Sequence, residues 1–181
     1  MNVNILKEVV LRRSSWGMNP HISGFIGYNL LAYGMYKYIS GPTKNNFRRK
    51  YTVEPGSSAL GYLTAHLFPT SFWDMTISAA LMFSVGNKHI LKYGALHFWK
   101  IAALGAVGAS TMAMTYDKSE YSGALGSAFS VTFYNAIKNP GWFMYGKYFT
   151  AALLFGYCVY YNDHIAGGSL ISAYLAFLFA L

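Results

Sequence analysis

Residues 121–138 read YSGALGSAFSVTFYNAIK, and the fold expected of the chain turns on this stretch. Gly123, Gly126 and Ser127 are small residues at its entry, an apolar run follows, and Lys138, Asn139 and Pro140 close it. Taken as a helix over 123–137, it would rise about 1.5 Å per residue and span about 22 Å, short of a bilayer core of about 30 Å. A membrane helix this short needs longer neighbours. Its glycine-rich entry can lie at membrane depth only with protein or a water-filled pocket around it. The stretch therefore predicts a short central helix inside a bundle.

The rest of the chain supplies apolar segments for that bundle. Its 181 residues are 54% hydrophobic and 11% charged, where soluble domains carry about a quarter charged residues. Five or six apolar segments in one domain predict an all-α, multi-pass membrane protein. The net charge of +8 raises the question of nucleic acid. Lysine and arginine fall in the short loops between apolar segments, however, where they act as topology signals, so no nucleic-acid partner is expected. The single cysteine, Cys158, lies in an apolar run and reads as a small buried hydrophobe, which excludes an intrachain disulfide and a zinc site.

From the N-terminus, residues 1–15 alternate apolar positions with Lys7, Arg12 and Arg13, a basic amphipathic stretch suited to a membrane surface or a mitochondrial transit segment. Residues 1–23 are assigned as a leader and 24–181 as the membrane domain. The expected spans are 24–39, 70–85, 93–114, the central helix, 144–161 and 165–181. Residues 43–58 form a polar connection, and 59–68 an interfacial or re-entrant piece ended by Pro69. Gly86, Asn87 and Lys88 are read as the end of the second span. Gly105, Gly108 and Ser110 offer a small-residue packing face on the third. Asp74, near the start of the second span, reads as a capping carboxylate. Six spans put both termini on one side, and loop lysines place that side in the matrix.

This order of segments resembles the rhomboid family of intramembrane serine proteases, whose six-helix core has a short fourth helix bearing G-x-S-G and a sixth bearing a histidine. Here the fourth segment reads Gly123-Ala124-Leu125-Gly126 and the sixth His164-Ile165-Ala166-Gly167-Gly168, with Ser172 four residues after Gly168 as a close-packing partner. The resemblance implies a six-transmembrane-helix, rhomboid-like bundle that has lost its protease. Leu125 stands at the nucleophile position and has no oxygen to attack a carbonyl. Asp74 and Ser78 fall where the family holds its oxyanion-binding pair, and a carboxylate there would repel the developing charge. Ser127 is about 200° round the helix from Leu125, and Ser122 lies one turn higher. His66 is a loose match to a first-loop histidine. His21, His89 and His97 show no metal-ligand spacing.

The resemblance thus implies a non-catalytic member that works by binding other proteins. With the transit-like start, it points to an accessory subunit of a large mitochondrial inner-membrane complex, foremost of the respiratory chain. A derlin-like translocation or quality-control component is the alternative, and an active intramembrane protease a further one. No cofactor or metal is expected, although a bound anionic phospholipid such as cardiolipin is compatible. Lys44, Arg48, Arg49 and Lys50, with no acid before Glu54, are expected against partner subunits or anionic lipid.

Overall fold

The computed structural model describes residues 17–53, 59–69, 71–117 and 122–138, together with Ile171, Leu175 and Leu178, and its regular elements are all helical. Helix α1 (Pro20–Tyr38) starts where Asn19 Oδ1 accepts the His21 N–H at 3.0 Å and Pro20 fills a position that needs no donor. Helix α2 (Gly41–Tyr51) follows after Gly41, whose φ of 64° turns the chain. Helix α3 (Ala59–Thr64) tightens into a 3₁₀ turn (Ala65–Leu67). Helix α4 (Phe72–Leu81), capped by Ser71, runs through a π-helical turn (Met82–Gly86) into α5 (Asn87–Tyr93). Gly94, at φ 89° and ψ 161°, breaks the chain before α6 (Ala95–Met112), which ends in a second π turn (Ala113–Asp117). Helix α7 (Leu125–Lys138) is the last of these elements.

Helix α7 is the centre of the molecule. Every residue from Leu125 to Asn135 is buried, so no face of it is left to solvent. Its largest interface is with α6, and α4 covers another side. Ile22 of α1, Leu81 of α4, Phe98 and Ile101 of α6 and Leu125 and Phe129 of α7 belong to one apolar cluster. The α6–α7 crossing is close because Gly105 has no side chain. A Cβ there would stand 2.6 Å from the Gly126 carbonyl oxygen and would also meet Ser130.

The six-span membrane fold is overturned. Among the described residues, no helix is long and apolar enough to cross a membrane. Helix α4 has only 10 residues before the π turn, and α7 has 14, about 21 Å. Helix α1 carries His21, Ser23, Asn29 and Lys37, and α6 carries His97, Lys100, Ser110 and Thr111. A multi-pass inner-membrane placement with matrix termini is not supported on the same ground, and transmembrane helices drop out of the description. The expected spans 144–161 and 165–181 lie outside the described residues, apart from Ile171, Leu175 and Leu178, which are helical and exposed.

Three boundaries also move. Residues 43–58 are not all connection, because Phe47 draws 41–51 into a helix. Its ring centre is 4.6 Å from that of Tyr51 and 4.8 Å from that of Phe68. Gly86 does not end a helix. It sits inside the π turn, where a Cβ would stand 2.8 Å from Ile22 Cδ1, so glycine serves close approach there. The piece at 59–68 is helical, α3 running into the 3₁₀ turn, with Ala65 and His66 buried.

Gly105→Ala is expected to lower the thermal midpoint by an amount corresponding to roughly 1–3 kcal/mol, because the new methyl would overlap the Gly126 carbonyl oxygen and Ser130 and force the helices to shift. Gly34→Ala in α1, where nothing lies within 4 Å of the new methyl, should raise it by about 0.5–1 kcal/mol. Thermal unfolding of both variants checks the pair, and an equal response would refute the crossing.

Candidate functional site

Two buried histidines fasten the central helix, one near each end. Pro69 and the 3₁₀ turn bring His66 inward beneath the loop that enters α7. The Gly123 N–H donates to the Ala65 carbonyl at 2.8 Å, and His66 Nδ1 lies 3.3 Å from the Gly123 carbonyl oxygen. That oxygen only accepts, so the proton is on Nδ1. His66 Nε2 then accepts from the Ser110 hydroxyl on α6, 2.9 Å away. Gly123 has φ 108°, which side chains disfavour, so glycine is needed where the loop bends. Burial is the largest influence on His66 and lowers its pKa to about 4, against the opposing pull of backbone hydrogen bonds at Gly123, Tyr62 and Ala106.

At the other end, the Asn135 amide donates to the Val131 carbonyl at 2.7 Å and to His89 Nδ1 at 2.8 Å. With Nδ1 accepting, His89 carries its proton on Nε2 and donates to His97 Nδ1 at 2.9 Å. Tyr93 and Tyr134 close around the pair, with ring centres 5.0 Å and 5.6 Å from that of His89. Burial first, then the neighbouring His97, holds His89 near pKa 4, with the Asn135 hydrogen bond opposing. Both histidines are neutral at physiological pH.

The Ser110–His66 pair has the separation of a nucleophile and its base, and a carbonyl orients the imidazole. Ser110, however, is 0% exposed, so no substrate carbonyl can approach its Oγ in this conformation. The contact joins α6, the 3₁₀ turn and the Gly123 loop, which is a structural task. Among the described residues, no three His, Cys, Asp or Glu side chains gather to hold a metal ion.

The positions taken from the rhomboid pattern are placed as follows. Leu125 and Ser78 are fully buried, and Ser78 Oγ has no hydrogen-bond partner. Asp74 does not cap α4. Ser71 does, accepting the Asp74 N–H at 3.5 Å, while Asp74 sits in the first turn. Burial raises the Asp74 carboxyl to about pKa 6. Gly126 meets Gly105 at the helix crossing, and Gly123 forms the bend before α7 rather than packing within it. His164, Gly167, Gly168 and Ser172 lie outside the described residues, as do the side chains of Arg48 and Arg49. The Lys44 and Lys50 ammonium groups stand 4.7 Å and 5.4 Å from the ring centres of Tyr36 and Tyr51. Sequence reasoning missed the Ser110–His66 and Asn135–His89–His97 sets. Their only signal is a polar side chain inside an apolar run.

The two histidines and Asp74 give a signed pH dependence in the acidic range. Below pH 6.5 the unfolded chain protonates both histidines, while the folded chain resists down to about pH 4, so stability falls on acidification. Asp74 acts in the opposite sense. Folded, it keeps its proton up to about pH 6, against 3.8 unfolded, so it adds stability as the pH drops through that window. Two histidines against one aspartate leave a net loss, shallow near pH 7 and steepest between about pH 6 and 5, where the unfolded histidines are largely protonated. The part due to His66 is on the order of 3 kcal/mol over the whole window. In thermal unfolding from pH 7 to 4, the double variant His66→Gln/His89→Gln should lose this fall in stability. A flat profile for the unsubstituted chain would refute the assignment. A fluorophosphonate probe is also expected to leave Ser110 unlabelled, and labelling abolished by Ser110→Ala and by His66→Gln would show that the pair opens. No protein-family model matches the chain and no curated protein matches it, so a functional reading rests on this geometry and on the surface around it.

Proposed function

We propose that the chain is a non-catalytic accessory subunit of a large multi-protein complex, held there by partner helices packed on its exposed apolar faces. The observation that supports this is the two-sided character of α1. Its inner face buries Ile22 and Ala32, yet Leu31, Met35 and Tyr38, spaced four and three apart on the outer face, are 71%, 57% and 91% exposed. A helix apolar on both faces is normally covered on both. Single exposed hydrophobes need no explanation, but an apolar stripe along a helix marks an interaction face. Helix α6 repeats the pattern with exposed Leu96, Leu104 and Val107, and α4 begins with exposed Phe72 and Trp73.

Charge fits the same reading. Helix α2 carries Lys44, Arg48, Arg49 and Lys50 in one short element, a basic segment whose residue types suit carboxylates of a partner subunit or phosphate. The basic amphipathic stretch 1–15 makes a mitochondrial respiratory-chain complex the first candidate. The test is Leu31→Glu/Met35→Glu in the native host, followed by native gel electrophoresis. Both side chains face outward, so the fold should survive while comigration with a large complex is lost. Unchanged comigration sinks the α1 face as the docking surface. Charge reversal at Arg48, Arg49 and Lys50 examines the basic segment separately.

A further inference from the structure

A groove of about 510 Å³ lies between α1, α6 and the 3₁₀ turn, apart from the outer stripe of α1. Along α1 it follows the face from His21 through Gly24 to Asn29, and along α6 the face from Trp99 through Ala103 to Ala106. Its two ends are pinned. At one, the Trp99 indole N–H donates to His21 Nδ1 at 3.4 Å. At the other, His66 hydrogen-bonds the backbone of Ala106. From His21 to Asn29 the helix rises about 12 Å, so the space is elongated. Glycine and alanine put little into it. Beyond the backbone of α1 itself, nothing stands within 4 Å of where a Cβ on Gly24 would sit.

The lining offers a polar group almost nothing to hold. Among the described residues that line the groove there is no Lys, Arg, Asp or Glu, so nothing compensates a charge drawn inside. Two polar side chains of the floor are already committed. Asn29 gives its amide N–H to the Phe25 carbonyl at 2.8 Å, and its Oδ1 is enclosed. His66 engages Gly123 and Ser110 with its two ring nitrogens. That leaves the hydroxyl of Ser127, one neutral group beside Phe25, Leu67 and the alanines. Affinity here therefore comes from apolar area, which is non-directional. Trp99 at one end and Leu67 at the other are 41% and 45% exposed, so both ends open to water.

We propose that this groove binds one linear hydrocarbon chain of a lipid lengthwise, with the head group left in water at an open end. An apolar cavity of about 150 Å³ takes one benzene ring, so the groove has room for a chain on the order of fifteen carbons. A partner helix is too bulky for it. At a diameter of about 10 Å, a helix of the same length fills about 900 Å³. The site needs no complex partner, so it stands or falls apart from the subunit reading.

The experiment is a competition assay on the purified full chain, with tritiated palmitate as probe. Decanoate, laurate and myristate vary the chain, and hexadecanol and methyl palmitate vary the head group. Saturable one-site binding is expected, tightening by up to about fourfold per added methylene until the groove is full. Palmitate, hexadecanol and methyl palmitate should agree within about threefold, because the chain alone is held. Gly24→Leu fills open space, so it should weaken binding about tenfold or more without lowering the thermal midpoint. Ala103→Phe, from the opposite wall, should repeat the block. Gly34→Leu, equally uncrowded but outside the groove, should bind like the unsubstituted chain. Four results would each overturn the proposal: no saturable uptake, an affinity indifferent to chain length, a head-group preference above about tenfold, or both groove variants binding like Gly34→Leu.

Discussion

The crossing of α6 over α7 is the constraint on which the rest of the structure depends. The helices meet where Gly105 leaves room for the Gly126 carbonyl and Ser130, and this closeness lets α7 be enclosed on every side. A buried helix brings its polar side chains with it. Thr132 returns its hydroxyl to the Ala128 carbonyl at 2.8 Å, the usual local solution, while Asn135 reaches a neighbouring element. These two groups find partners within the protein, because water does not reach them, whereas the Ser130 hydroxyl of the same helix is buried without one.

The histidines follow from that requirement. His66 and His89 fasten opposite ends of α7, each with one nitrogen accepting and the other donating, so each fits the tautomer that its surroundings dictate. Neutral imidazole is one of the few side chains able to link two neighbours in this directed way. Burial and hydrogen bonding thus select one uncharged form at both ends of the helix.

Helix positions were largely legible in the sequence, since apolar runs at 24–39, 93–114 and 123–137 overlie α1, α6 and α7. Their purpose was not. Tyrosine and alanine count toward a hydrophobic composition of 54%, but tyrosine adds little to the hydropathy that a membrane demands. Asn29, Ser110 and Asn135 interrupt these runs because they serve an interior made of protein. Gly86 misled because glycine signals both helix ends and close packing, and only the neighbouring Ile22 and Phe98 distinguish the two. The candidate site was hidden for a simpler reason. His66 and Ser110 are 44 positions apart, and the fold alone makes them neighbours.

The uncharged character of the contacts at α7 bears on how the molecule meets dissolved ions. Hydrogen bonds between neutral, enclosed groups are indifferent to ionic strength, since screening acts on charges that face solvent. The chain nonetheless carries a surplus of eight positive charges. Added salt therefore leaves the neutral contacts at the two ends of α7 untouched and acts on the charges that face solvent.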